Sequence, residues 1–441
     1  MKHFQSAVRF AMGSAFVLLG AAPASDPLDP QRWHEPTRAR SPRMQSLVGD
    51  LRKVLAAEDA TRIAAAVAEM RRELGSEVSL PEAKPDYAGP PDPTPRPLDQ
   101  YLALWLDDCR RRAGREPWDA AAAALRSGRV PIRLRDSQRM AEAYLATARL
   151  LGPEAGTPFR ERALAGARFI RTCQTTLGVF GYPYDPARTD RLGQQARKIV
   201  ERGQQQGRTM VEGVWIIDDL DGGDLQFDNG VCGLLMFEAH ALTGDVAFLA
   251  SAVRAVEWAL TRPLVPNWNY NAFSARLLAR AHLATKEPRF LDAARRKFEL
   301  GVLPGQTETG RWFDPHNART QYHAILCTAL ADYVELLAAI GAPELPRARE
   351  AATRALDNLA AQTLAFGASN AHEMLSLEAF HRGTVVLGRR ADWDRATQVT
   401  LNVLTTDLRA RMISDLHHLP EPIPLGLLQL REPGRDSQLK R

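Results

Sequence analysis

Four cysteines in 441 residues, Cys109, Cys173, Cys232 and Cys327, are too few for a disulfide framework, and no CxxC occurs to form a thiolate zinc site or a redox motif. Cys232 and Cys327 lie inside the apolar runs VCGLLMF and AILCTAL, where a free thiol packs as a small hydrophobe. One-signed charge is also scarce. Lys and Arg exceed Asp and Glu by only five, and the surplus is spread along the chain, which speaks against nucleic acid as a partner. Long apolar runs are missing everywhere except the extreme N-terminus, so a multi-span membrane protein is excluded. Strand-like alternation is nearly absent. A hydrophobic content of 45% with 25% charged residues is that of a globular chain.

The one apolar run has the layout of an export signal. Lys2 and Arg9 precede an apolar stretch from Ala11 to Ala21, and Ala22-Pro23-Ala24 supplies a small-x-small cleavage pattern. The run falls short of the ~20 apolar residues that a spanning helix needs. The expectation is therefore an exported protein, periplasmic or secreted, with no stable membrane insertion once residues 1–24 are removed.

What remains is helical. Residues 44–77 form a helical pair, and the proline-rich stretch 81–97 then reads as a linker or a strap over the surface. From residue 98 one unit recurs: an apolar helix, a tight turn and a second, amphipathic helix. The predicted pairs are 98–113 with 117–127, 135–151 with 158–176, 229–243 with 246–262, 270–285 with 288–301, 321–340 with 345–363, and 370–387 with 391–413. Turns fall at Gly152, Gly244, Lys286, Gly341 and Gly388. Weak repeats of this length are stacked units that cannot bury their apolar faces alone. Six irregular hairpins, interrupted by an insertion at 183–228, fit an all-α, closed α/α toroid better than an open solenoid. The first helix of each pair would line the centre, leaving 414–441 as a C-terminal tail.

Residues 227–260, FDNGVCGLLMFEAHALTGDVAFLASAVRAVEWAL, resemble a hairpin of the α/α-toroid carbohydrate-active proteins of the six-hairpin type. They are similar in particular to pectate-lyase-like chains, in which Asp-Asn-Gly opens an inner helix and Thr-Gly-Asp closes it. The segment 172–186, TCQTTLGVFGYPYDP, resembles the outer helix and aromatic loop of the same proteins. The resemblance spans roughly 170–340 and implies an enzyme acting on a sugar polymer, with an oligo- or polysaccharide as partner; no organic cofactor is expected. The tryptophan-lysine motif of typical pectate lyases is absent.

Aligned by their turns, the later inner helices begin with residues unusual for a core. They are Asp228-Asn229, then Asn267 to Asn271 including Trp268, Asn269 and Tyr270, then His316, Asn317, Arg319, Gln321, Tyr322 and His323, and finally Asn370, His372 and Glu373. Alternating hairpins put these starts at one end of the ring, predicting a polar, aromatic cleft above an apolar plug. Helix capping explains the asparagines singly but not the aromatic, histidine and arginine residues in the same register.

Two chemistries suit such a cleft. Eliminative cleavage of a uronic-acid glycan needs its carboxylate neutralised, a base for the adjacent proton, and an acid for the leaving oxygen. Tyr322, His323, Arg319 and Asn269 are the catalytic candidates, and Tyr270, His316, Asn229, His372, Trp268 and Tyr182 the substrate-binding ones. Hydrolysis instead needs paired carboxylates, for which Asp218, Asp219, Asp224, Asp228 and Glu373 are available. A ring that binds glycan without cutting it is a third class. The loop IIDDLDGGDLQFDNG supplies Asp219, Asp221 and Asp224 beside a glycine turn, the oxygen-rich composition that binds Ca²⁺. The alternative is a solvated acidic loop capping the next helix. Tyr182, Tyr184, Trp215, Trp312 and Phe313 are aromatic residues that either stack on sugar rings or anchor their loops.

Overall fold

The computed structural model describes residues 42–74, 91–131, 133–314, 316–367, 374–411 and 423–431, with the side chains of 374 and 407–411 excepted. Two short helices, α1 (Pro42–Ala56) and α2 (Ala60–Leu74), form the expected N-terminal pair. They lean on the main body through Glu58 to Arg296 at 2.5 Å and Arg71 to Glu308 at 3.0 Å. Next come α3 (Leu98–Arg112), α4 (Pro117–Arg126), α5 (Leu134–Leu151) and α6 (Thr157–Thr172). The insertion folds as strand β1 (Tyr182–Pro183), helix α7 (Arg191–Gln205) and strands β2 (Val211–Glu212) and β3 (Trp215–Ile216), in the antiparallel order β1-β3-β2.

The remaining helices run in hairpins. They are α8 (Asp224–Thr243) with α9 (Val246–Leu260), α10 (Trp268–Thr285) with α11 (Pro288–Gly301), α12 (Thr320–Ile340) with α13 (Leu345–Phe366), and α14 (Met374–Leu387) with α15 (Ala391–Arg411). A last helix, α16, spans Ile423–Leu430. The five turn residues read from the sequence all have positive φ, including the non-glycine Lys286 at 63°. Such a residue closes a helix because its amide can turn back onto the last turn, as Lys286 N–H does to the His282 carbonyl at 2.8 Å.

Two kinds of helix alternate. Outer α11 buries Phe290, Ala293, Ala294, Lys297, Phe298 and Gly301, a one-sided stripe. Inner α12 is buried on nearly every residue from His323 to Val334. It is the one described helix long and apolar enough to cross a membrane, and it is instead sandwiched between helical layers. Neighbouring inner helices run parallel. A Cβ added at Gly230 of α8 would meet Phe273 of α10 at 2.9 Å, and one at Gly233 would meet Leu277 at 2.7 Å, so both helices advance by a turn in the same direction.

The inner layer closes. Helix α5 packs on α8, α8 on α10, α10 on α12, α12 on α14, α14 on α16, and α16 back on α5. The chain is thus an α/α toroid, with a correction to its hairpin list. The pair 98–113 and 117–127 is not an inner and outer couple. Helix α3 instead packs against α16, and α16, from the stretch read as a tail, is the sixth inner helix. Sequence periodicity cannot reveal such a pairing of distant segments. The expected strap is present in residues 91–97, where the Asp92 and Thr94 carbonyls accept from Asn402 Nδ2 at 2.7 and 3.1 Å. A second correction concerns the ring's centre, which holds a charged cavity rather than an apolar plug. All four cysteines are buried free thiols.

Candidate functional site at the N-terminal face of the inner helices

The first turns of α5, α8, α10 and α12 meet at one end of the ring. Arg135 of α5 donates to both carboxylate oxygens of Asp228 on α8, the Nε contact being 2.8 Å. Its guanidinium carbon lies 3.9 Å from the centroid of the Phe227 ring and 6.0 Å from that of Tyr182 on β1. Phe227 in turn stacks on Phe273 of α10, centroids 4.1 Å apart. The insertion therefore delivers Tyr182 to the same cationic and aromatic platform that the inner helices build.

Beside it stands Tyr270, the third residue of α10. It neighbours Asp224 on the first turn of α8, and burial followed by the Asp224 charge pushes its pKa well above the usual phenol range. The approach depends on Gly223, whose φ is +91° and whose missing Cβ would lie 3.0 Å from the Tyr270 ring. On the next helix the Tyr322 ring stacks on His316 at 4.0 Å, and Arg319 approaches the same ring to 5.8 Å. Asp224, Tyr270, His316, Arg319 and Tyr322 all retain some solvent exposure.

Several sequence candidates sit instead in the wall behind this face. Asn269 is fully buried, with Nδ2 donating to Asn267 and Asn317 at 2.8 Å each. Asn317 donates onward to Asp314, which burial pushes above its ordinary range. Trp268 is buried edge-on to Phe313. Asn229 clamps the main chain, accepting from Phe180 N–H at 3.2 Å and donating to the Ala255 carbonyl at 2.9 Å. His323 is fully buried against Trp312, with Nε2 3.0 Å from the Ala355 carbonyl of outer helix α13. Burial, with the nearby Arg311, pushes that imidazole's pKa well below its usual range.

The candidate set is corrected accordingly: Asn269, His323, Asn229 and Trp268 brace the cleft from behind. The reason is helical geometry, since adjacent residues project about 100° apart. Asp228 and Asn229, or Tyr322 and His323, therefore divide between cleft and wall. His372, with Asn370 and Glu373, lies outside the described residues. Trp215 and Trp312 are buried as anchors, the latter donating from Nε1 to the Val302 carbonyl at 3.0 Å. Arg135 and Phe227 are the members that sequence reasoning missed. Arg135 stands in the first turn of α5, which otherwise looks ordinary, and its partner stands 93 residues away.

The acidic loop is differently employed. Asp218 receives Arg208 Nε at 2.9 Å and lies 3.5 Å from Arg262, while Asp221 lies 3.7 Å from Arg208. Asp219 accepts from the Asp221 and Leu225 amides at 3.1 and 3.3 Å, and burial, reinforced by Asp224, pushes its carboxyl up to about 6. Asp218 and Asp221 are thus drawn to arginines, and Asp219 to loop amides. Among the described residues no group of three or more His, Cys, Asp or Glu side chains is placed to hold a metal ion.

No protein-family model matches the chain, and no curated protein matches it. A solved structure described as a glycosyl hydrolase family 88 protein from Bacteroides vulgatus is similar to it at 11% identity, over 76% of this chain and 98% of that one, with a TM-score of 0.47.

Proposed function

We propose that the chain is an exported carbohydrate-active enzyme that cleaves a uronic-acid-containing glycan by elimination at the N-terminal face of its inner helices. The carrying observation is the convergence there of Arg319, Tyr322, His316 and Tyr270, which supply a cation, a base and an acid. Arg319 would neutralise the uronate carboxylate and acidify the proton beside it. His316 or Tyr322, stacked together, would take that proton. Tyr270 is suited to the acid's part, because burial and Asp224 favour its protonated form. It would donate to the departing glycosidic oxygen as the carbon–oxygen bond breaks and the double bond forms. Tyr182 would offer a ring on which a sugar stacks, since the faces of Phe227 are taken by Phe273 and Arg135.

Incubation with a panel of uronic-acid polymers, followed by near-ultraviolet absorbance of the unsaturated product, tests the reading. A rise that disappears in Arg319→Ala and Tyr322→Phe supports it, and a flat trace with every polymer overturns it. One observation favours hydrolysis as the second reading. Asp224 and Asp228 lie four residues apart and so share one face of α8 at this end of the ring, and a pair of carboxylates is what hydrolysis uses. That pair would release reducing ends without the new absorbance.

A further inference from the structure

Two turns below the cleft floor, roughly 11 Å along the axis from Arg135 to Glu142, the ring opens into a cavity of about 610 Å³. All six inner helices line it, from Glu142 on α5 round to Leu425 on α16, and it runs toward their C-terminal ends. On one side a continuous ladder of charges crosses α10, α12 and α14. Glu378 meets Arg276 at 2.8 Å, and Arg276 meets Asp332 at 2.7 Å. Arg382 then joins Asp332 at 2.9 Å and Glu335 at 2.7 Å, and Arg280 reaches Glu335 at 3.5 Å. Three carboxylates and three arginines neutralise one another.

The opposite side is not balanced. Glu142 and Glu238 also line the cavity and carry no salt bridge among the described residues. Glu142 faces Glu238 of α8 and Glu378 of α14, with Arg276 of α10 as the nearby cation and Gln138 of its own helix as hydrogen-bond partner; α16 contributes only apolar Leu425 here. Leu234, Phe237 and Leu283 supply a carbon-lined surface alongside. Arg149 of α5, seven residues beyond Glu142, also lines the cavity, as do His240 of α8 and His381 of α14, whose imidazole burial and Arg382 push down to about 4, so outside the ladder two carboxylates face one guanidinium. A bare metal ion would find no cluster to hold it, and the space exceeds what one ion fills.

We propose that this axial cavity is a second ligand site, distinct from the N-terminal face, which binds a small organic amine with its ammonium group between Glu142, Glu238 and Glu378. Burial, and then the charges of Glu378 and Glu238, push the Glu142 carboxyl well above its ordinary range, so its ionised form is disfavoured without a cation beside it. An arriving ammonium reverses that balance. Glu142 ionises, its proton leaves to the buffer, and the carboxylate pairs with the ligand. The two ends of the ring's axis then have opposite preferences, anionic sugar at one and cation at the other. An amino sugar and a polyamine carry the same group, and the experiment separates them.

The test is calorimetric titration of the full chain with glucosamine and, separately, with spermidine, at neutral pH in two buffers of different ionisation enthalpy. Saturable binding is expected for at least one, with a buffer-dependent heat that reports proton release. Glu142→Gln and Glu238→Gln, nearly isosteric, should each weaken it by about tenfold or more, equivalent to about 1.4 kcal/mol, with thermal unfolding otherwise retained. Glu142→Gln should also abolish the buffer dependence. Tyr322→Phe, at the other end of the axis, should bind like the wild type whether or not the glycan reading holds. Binding of glucosamine alone identifies a saccharide amine, and of spermidine alone a polyamine. The proposal is overturned if neither binds at millimolar concentration. It is equally overturned if N-acetylglucosamine binds as well as glucosamine, or if the folded glutamine variants bind undiminished.

Discussion

Arg135 and Asp228 face each other across the seam between α5 and α8, joined by two donor–acceptor contacts although the whole insertion separates them in sequence. Asp228 is fully buried, and Arg135 keeps only 15% of its side-chain surface. Removing either partner strands a buried charge, which costs about 3–5 kcal/mol. Arg135→Ala should therefore lower stability in chemical denaturation by an amount in that range. Arg135→Lys should recover little, because an ammonium cannot reproduce a planar, two-pronged contact that also stacks on Phe227. Full recovery by lysine would mean that charge alone matters there.

Neighbouring residues with opposite placements give a paired prediction. Tyr322→Phe keeps the stack on His316 and removes only the hydroxyl, so it should leave thermal stability nearly unchanged while turnover falls by about 10²-fold or more. His323→Ala should do the reverse. It loses packing on Trp312 and a contact to the outer layer, costing about 2–4 kcal/mol, with turnover per folded molecule retained. Parallel melting curves and initial rates for the two variants decide the matter; a specific loss of turnover in His323→Ala would return that imidazole to the mechanism.

Lys297 offers a pH signature. It is fully buried, its Nζ 3.0 Å from the Arg262 carbonyl, and burial, aided by Arg296, pulls its pKa down to about 7. The unfolded chain keeps this proton up to about pH 10.4, so between neutral pH and that value unfolding takes up a proton and stability rises with pH. Below neutral pH the cost of holding the cation is fully present. Lys297→Met should therefore gain on the wild type most at pH 7 and less at pH 9, by chemical denaturation at each. A difference independent of pH would show that the lysine is not titrating in the fold.

Glycine at 230 is a matter of helix spacing. A methyl there would lie 2.9 Å from both Cβ and the carbonyl oxygen of Phe273, and backbone cannot swing aside as a side-chain tip can. Gly230→Ala should cost about 1–3 kcal/mol and should disturb the Phe227–Phe273 stack above it, lowering activity as well. Unchanged stability would require α8 and α10 to part freely.

Chelation is the simplest check on the acidic loop. With Asp218 and Asp221 beside Arg208, and Asp219 bonded to loop amides, EDTA should change neither melting temperature nor activity. A calcium-dependent rise in either would bring Asp219, Asp221 and Asp224 back as ligands.

The hairpin turns were legible in the sequence because each rests on local chemistry, a glycine or Lys286 in a left-handed conformation between two periodic segments. The gathering of Tyr270, Arg319, Tyr322 and His316 at one end followed from those turns. The choice between Tyr322 and His323 did not, since a stretch buried on both faces carries no amphipathic phase to separate them. The axial cavity was hidden for another reason. Arg276 with Arg280, Asp332 with Glu335, and Glu378 with Arg382 look like surface pairs until the ring turns them inward. Their i, i+3 and i, i+4 spacing within otherwise apolar helices was the available signal. Closure by α16 had no local signature at all, because its partners α3 and α5 lie hundreds of residues upstream.

That closure makes the ring a barrel whose final stave is cut last. As the chain emerges from its N-terminal side, α5 and α14 each present an apolar flank with nothing yet to cover it. Only when residues 423–430 arrive can both flanks be sealed at once. Unlike an open solenoid, the ring is therefore complete only once that last helix is in place. A nascent or truncated chain stopping short of Ile423 is left as a gapped arc with two sticky edges.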